Sequence, residues 1–203
     1  MTTLQVDTPH GPARAELHCA AEGRAALLLG HGAGGGISAP DLVAATHGAT
    51  GAGVHVALVE QPYRVAGRRA PAPARQLDAA WLAVAAALGE QWFAGLPLLF
   101  GGRSSGARVA CRTSAEGEAV GVLCLAFPVH PPGKPEKTRQ PELDAVPVPT
   151  LVVQGLADPF GQPAPAPHRE VVSLPGDHSL KRESPELARA VAGWLDRVLR
   201  PLD

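Results

Sequence analysis

Five short apolar runs constrain this chain more than any other feature. They are Ala25-Ala-Leu-Leu-Leu29, Val54-His-Val-Ala-Leu-Val59, Pro97-Leu-Leu-Phe100, Gly121 to Phe127, and Thr150-Leu-Val-Val153. A strand with one wet face alternates apolar and polar residues. A run without alternation fits a strand covered on both faces, the habit of parallel sheets. Helical segments are expected between the runs. Arg75 to about Trp92 carries Leu77, Trp81, Val84 and Leu88 on one stripe. Ser38-Ala-Pro-Asp41 reads as a helix start, with Ser38 as cap, Pro40 in the first turn and Asp41 at the positive end, the helix running to about Thr50. Ala107 to about Thr113 is expected to be helical. Ser184-Pro-Glu-Leu, with Ser184 as cap, opens a final helix whose apolar face is Leu187, Val191, Trp194, Leu195 and Val198. Leu4–Thr8 and Ala13–Cys19 read as a hairpin, Glu170–Leu174 as the last strand, and Pro128–Pro147 as a long Pro-rich loop. The alternation predicts an α/β fold, a mainly parallel twisted sheet with helices on both faces. Ligands of such sheets bind beyond the carboxyl ends of the strands, where the polar motifs of this chain fall.

A length of 203 residues suits a single domain, 1–203, and no repeat or shift in composition marks a second. The formal net charge of −1 gives no electrostatic case for binding nucleic acid or an anionic membrane. Cys19, Cys111 and Cys124 lack the spacing of a zinc site or a disulfide framework. The first residues show neither a basic start nor an apolar stretch, and the apolar runs are far short of a membrane span. A cytoplasmic, soluble protein is expected.

Gly102-Arg-Ser-Ser-Gly106 matches G-x-S-x-G, with Ser104 central, between a predicted strand and a predicted helix. A nucleophile elbow needs that context, and its tight turn needs small residues on both sides of the serine. A serine hydroxyl is a weak nucleophile, so it requires a base, and the base requires a carboxylate to fix its tautomer. Asp158 and His178 each follow a predicted strand and complete the chain order Ser, Asp, His of α/β-hydrolases. Asp144 is a weaker acid candidate, and Asp177 would point away from its neighbour His178. His10, His18, His47, His55 and His168 read as surface residues. The oxyanion needs preorganised amide donors. Ser105, at a helix start, is one, and Ala33 in His31-Gly-Ala-Gly-Gly-Gly36 is the other, with glycines such as Gly34 letting substrate approach the backbone. No lysine follows that loop as a P-loop needs, which argues against a phosphate cradle. His130 and Lys134, in the Pro-rich loop, are candidate contacts for an acidic leaving group. Arg103 is expected near the elbow in a structural ion pair.

These residues resemble the KANL3/Tex30-like group of α/β-hydrolases, small proteins related to dienelactone hydrolases. The matching segments are Leu28–Gly35, Gly101–Arg108, Phe127–Glu136, Val153–Phe160 and Gly176–Lys181, in order along nearly the whole chain. The resemblance implies a nucleophile at Ser104, an acid at Asp158 and a base at His178. The chain departs from the group at Gln162–Pro167, which should break the helix expected between the last two strands. No insertion is long enough for a full cap domain. The expected activity is hydrolysis of a small ester or other acyl substrate through an acyl-enzyme, without metal or organic cofactor. The rival expectations are a catalytically silent scaffold on the same fold, or a peptidase or thioesterase using the same triad. Oligomeric state is not legible in the sequence.

Overall fold

The apolar runs become the central strands of one sheet. The computed structural model describes residues 2–181 and 184–200. Among these residues the strands are β1 (Thr2–Val6), β2 (Ala13–His18), β3 (Ala25–Gly30), β4 (Val54–Glu60), β5 (Leu98–Arg103), β6 (Val122–Leu125), β7 (Thr150–Gly155) and β8 (Arg169–Leu174). They form an eight-stranded sheet in the order β1-β2-β4-β3-β5-β6-β7-β8. β1 pairs antiparallel with β2, and β2 with β4. Every later pairing is parallel. The winding reverses at β3: the chain leaves it for β4 on one side and then crosses back to β5 on the other, so the loop after β3 lies beside the loop after β5. That is the switch point where such sheets bind ligands.

The absence of alternation has its cause in two cores. Ala26, Leu28, Ala57 and Val59 lie in the core under one face, with Leu77, Trp81, Val84 and Leu88 of α3 (Ala74–Gln91) and Ala107 and Ala110 of α4 (Ser105–Thr113). Ala25, Leu27, Leu29, Val54, Val56 and Leu58 lie in the core under the other face. There they meet Leu42 and Ala45 of α1 (Pro40–Gly51), and Leu187, Val191 and Trp194 of α6 (Ser184–Leu199). Both sides of each central strand are therefore withdrawn from water, and hydrophobic burial selects apolar residues at every position. α1 and α6 approach so closely that a Cβ on Gly48 would lie 2.4 Å from the Ala188 carbonyl oxygen.

Several local expectations need correction. Ala39, not Ser38, is the N-cap of α1, and it makes no side-chain capping bond. Asp41 is fully buried and belongs to an ion pair, so it does more than complement the helix end. α4 begins at Ser105 rather than Ala107, directly after the nucleophile candidate. β6 is shorter than predicted because Ala126 turns to φ 50°. The Pro128–Pro147 stretch carries α5 (Gln140–Asp144), anchored by buried Leu143 and by Glu142, whose carboxylate oxygens accept from Arg108 at 2.8 and 2.6 Å. A single turn of helix is too short for periodicity to reveal, and so is α2 (Pro62–Val65) after β4. α6 starts at Ser184, and residue 183, where its cap would sit, lies outside the described residues. Between β7 and β8 there is no helix, as Gln162–Pro167 predicts. No cap domain interrupts the sheet, and no helix among the described residues is long and apolar enough to cross a membrane.

Candidate active site

The elbow is built by glycine packing. β5 ends at Arg103, α4 starts at Ser105, and Ser104 between them takes φ 52°, ψ −108°. A non-glycine residue rarely adopts such a backbone, and held strain of this kind clusters at functional sites. The flanking glycines make the turn possible. A Cβ on Gly102 would stand 2.6 Å from the Gly30 carbonyl oxygen, and one on Gly106 only 2.4 Å from the same atom. The serine amide donates to the Leu125 carbonyl at 2.9 Å, tying the turn to β6. The side chain stands at the carboxyl end of the sheet.

There it meets the two residues the sequence singles out. His178 Nε2 lies 2.9 Å from Ser104 Oγ, and His178 Nδ1 lies 2.8 Å from Asp158 Oδ2. With Nδ1–H donating to the carboxylate, Nε2 is free to accept the serine proton. The Asp158 side chain is fully buried and that of His178 is 18% exposed. Asp158 Oδ1 accepts the Phe160 amide at 2.8 Å. The Phe160 ring stacks on the imidazole with centroids 4.1 Å apart. Gln154 of β7, fully buried, brings its amide nitrogen 2.8 Å from Asp158 Oδ2, 2.9 Å from the Gly161 carbonyl and 3.1 Å from that of Phe127. Arg103 grips the His178 backbone from the other side. One of its terminal nitrogens donates to the His178 carbonyl at 3.2 Å while its Nε pairs with buried Asp41 at 2.8 Å. Burial pushes the Asp41 carboxyl above its ordinary pKa, against the opposing pull of Arg103. The expected ion pair of Arg103 thus links α1, the elbow and the loop of His178.

Ser105 opens α4, so its amide points out of the first turn. Ala33 lies in the loop after β3, across from that turn. His31 holds the loop from within. It is 3% exposed, its Nδ1 lies 2.8 Å from the Gly32 carbonyl, and its Nε2 accepts the Gln61 amide at 3.1 Å. Burial lowers its pKa, outweighing the Gly32 carbonyl that pulls the other way, so the imidazole is neutral near pH 7. The glycines of this loop differ among themselves. A Cβ on Gly32 would meet Arg103 at 2.8 Å, whereas one on Gly34 would meet nothing within 4 Å. Gly34 faces open space.

His130 and Lys134 are not bonded to the triad candidates among the described residues. The His130 ring has Nδ1 2.9 Å from the Pro131 carbonyl and packs against Gly161, where a Cβ would come within 2.6 Å of its Nε2. Lys134 is exposed, its amide closing a turn onto the Pro131 carbonyl at 3.0 Å. Among the described residues no group of three or more His, Cys, Asp or Glu is placed to hold a metal.

A family model described as alpha/beta hydrolase domain matches residues 23–188, from just before β3 into α6. The chain belongs to the α/β-hydrolase family. No curated protein matches its sequence at a significant level. Solved structures resemble this α/β-hydrolase over nearly its full length. A lid-less α/β serine hydrolase from Xanthomonas campestris superposes with a TM-score of 0.80 at 20% identity, covering 97% of this chain and 94% of its own. Est1E from Butyrivibrio proteoclasticus gives 0.80 at 14% identity, covering 98% of this chain and 100% of its own. A dienelactone hydrolase from Anabaena variabilis gives 0.76 at 16%, covering 97% and 96%.

Within this α/β-hydrolase, sequence reasoning missed Gln154, Phe160 and His31 as neighbours of the candidate site. Phe160 and Gln154 carry no chemistry that a motif would advertise. His31 sits in the glycine loop and was legible only as part of it.

Proposed function

We propose that the chain hydrolyses small esters through an acyl-enzyme on Ser104. The observation that carries this is the continuous hydrogen-bonded line from Ser104 Oγ through His178 to buried Asp158, at 2.9 and 2.8 Å. In the first half-reaction Oγ bonds to the ester carbonyl carbon and its proton passes to His178 Nε2. The carbonyl π pair moves onto oxygen, held by the Ser105 and Ala33 amides. Collapse expels the alcohol, which takes the proton back from Nε2. Water then repeats the sequence on the acyl-enzyme and releases the acid. Asp158 stays ionised and stabilises the imidazolium, and Gln154 and the Phe160 amide keep its oxygens oriented.

The sheet order sets the direction of the substrate. Asp158 and His178 follow β7 and β8, on one side of the nucleophile, and the loops after β3 and β4 lie on the other. The leaving group must be protonated by His178, so it lies on the β8 side, where we assign His130 and Lys134 to its outer surroundings. The acyl group then faces the opposite side, past Gly34. A cavity of about 210 Å³ lined by Pro12, Pro62, Tyr63, Val65, Ala72 and Leu77 among others lies on that flank of the sheet, its lining including none of Ser104, Ser105, Ala33 or Gly34. A site that no cap domain covers offers a long chain little enclosed surface, so we infer compact acyl groups. The lid-less serine hydrolase and dienelactone hydrolase among the structural relatives are in keeping with that reading. We place the chain with the KANL3/Tex30-like group and in the cytoplasm, acting on a soluble small molecule.

The test is a panel of 4-nitrophenyl esters from acetyl to octanoyl, with a thioester and an anilide of the preferred acyl group. Short esters are expected to turn over, and Ser104→Ala is expected to lower kcat by about 10⁶-fold. A preference for the thioester or the anilide would move the bond class to thioesterase or peptidase. Absence of turnover on every member would favour the scaffold reading.

A further inference from the structure

The geometry points to Tyr63 as a positioning residue for the oxyanion site: its hydroxyl fixes the backbone that presents the Ala33 amide. This rests on the hydrolase reading above and adds to it a residue outside the triad and its chain motifs. Tyr63 is 6% exposed and sits in α2, immediately after β4. Its hydroxyl donates to the Ala33 carbonyl at 3.1 Å, and its ring meets that of His31 edge-on at 5.7 Å. Burial raises its pKa, so the phenol keeps the proton it donates.

Two peptide planes flank Ala33. The first joins the Gly32 carbonyl to the Ala33 amide, and His31 lies 2.8 Å from that carbonyl. In a trans peptide the amide hydrogen points opposite the carbonyl, so holding the Gly32 carbonyl aims the Ala33 amide away from His31. The second plane carries the Ala33 carbonyl, and Tyr63 holds it. With both carbonyls held, rotation of either plane about Ala33 breaks a hydrogen bond. Without the second tether the plane after Ala33 would run into Gly34-Gly35-Gly36, where Cβ atoms would meet nothing, and the Gly35 amide on the Gly32 carbonyl at 3.2 Å would be left to close the turn. The amide would then sample orientations in which it does not meet the oxyanion. Stabilisation that exists only when charge develops on the carbonyl oxygen raises kcat and leaves ground-state binding alone.

Tyr63→Phe removes the hydroxyl and keeps the ring against His31. Kinetics on the preferred 4-nitrophenyl ester are measured for wild type and variant, together with inhibition by an alkylboronic acid, which forms a tetrahedral adduct on Ser104. The expected result is a fall in kcat of about tenfold, between the effect of one modest hydrogen bond and the loss of a whole oxyanion donor. KM is expected to stay within about twofold, and boronate affinity to fall in step with kcat/KM. Thermal midpoints of the two proteins identify any general loss of structure. An active wild type with unchanged kcat in Tyr63→Phe overturns the assignment of Tyr63 alone. So does a loss confined to KM, or a loss of kcat with unchanged boronate affinity. A wild type inert to both ester and boronate overturns the hydrolase reading, and the role of Tyr63 falls with it.

Discussion

At the scale of single residues, the site depends on which atom carries a proton. In the proposed mechanism His178 works as a base only if Nδ1–H points at Asp158, and a carboxylate oxygen 2.8 Å away favours that tautomer. Asp158→Asn keeps the shape but places an amide there, which favours the wrong tautomer. We predict a fall in kcat of about 10⁴-fold with little change in Tm, checked by steady-state kinetics beside thermal unfolding. His31 raises a second proton question. Its Nε2 accepts the Gln61 amide, so protonation would set two donors against each other. Its folded pKa is depressed by burial, so the folded state resists a proton that the unfolded chain accepts below the ordinary histidine value of about 6.5. The contribution of His31 to stability is therefore present above that value and declines as pH falls below it. Urea unfolding at pH 7.5 and 5.5 should show a larger loss for wild type than for His31→Asn; equal losses would contradict it. Ser104, Asp158 and His178 were legible because each combines reactive chemistry with a strand end. Gln154 was not, because a glutamine in an apolar strand signals nothing until the carboxylate beside it is seen.

At the scale of elements, the elbow depends on three glycines. Gly30, Gly102 and Gly106 let β3, β5 and α4 meet at backbone contact. Gly106→Ala would drive a methyl into the Gly30 carbonyl at 2.4 Å. Overpacking of this kind costs on the order of 3 kcal/mol, measurable as a lower urea midpoint. Activity should fall further than stability because Ser104 moves with the helix. The second device is the Asp41–Arg103 pair. The Asp41 side chain is fully buried and that of Arg103 is 19% exposed. Asp41→Ala would leave Arg103 without its counter-charge, at a cost of about 3 kcal/mol, and would free the arginine that holds the His178 carbonyl. Strands were readable here because burial on both faces writes itself into the sequence as unbroken apolar runs. Helix starts were less so. Ser38 has the chemistry of a cap, yet α1 begins after Ala39, and Asp41 serves packing against the elbow instead. α2 and α5 are single turns fixed by tertiary contacts, and their positions follow from what they touch rather than from their own sequence.

At the scale of the whole molecule, the sheet sorts chemistry by strand order. The residues we propose as nucleophile, acid and base arrive from the ends of β5, β7 and β8, and the proposed oxyanion loop and Tyr63 from the ends of β3 and β4. Ser104 stands between the two groups, so the leaving group and the acyl group are assigned opposite sides. This much was foreseeable from the alternation of elements, since every polar motif followed a predicted strand. The neighbour relations across the sheet were not, because strand order is set by packing of distant segments. The central claim is that Ser104 is an activated nucleophile, and the most direct test is labelling with a fluorophosphonate, read by intact mass on wild type and Ser104→Ala. The account predicts one adduct on wild type and none on the variant. A folded wild type that takes no label, or a variant that takes as much, would contradict it.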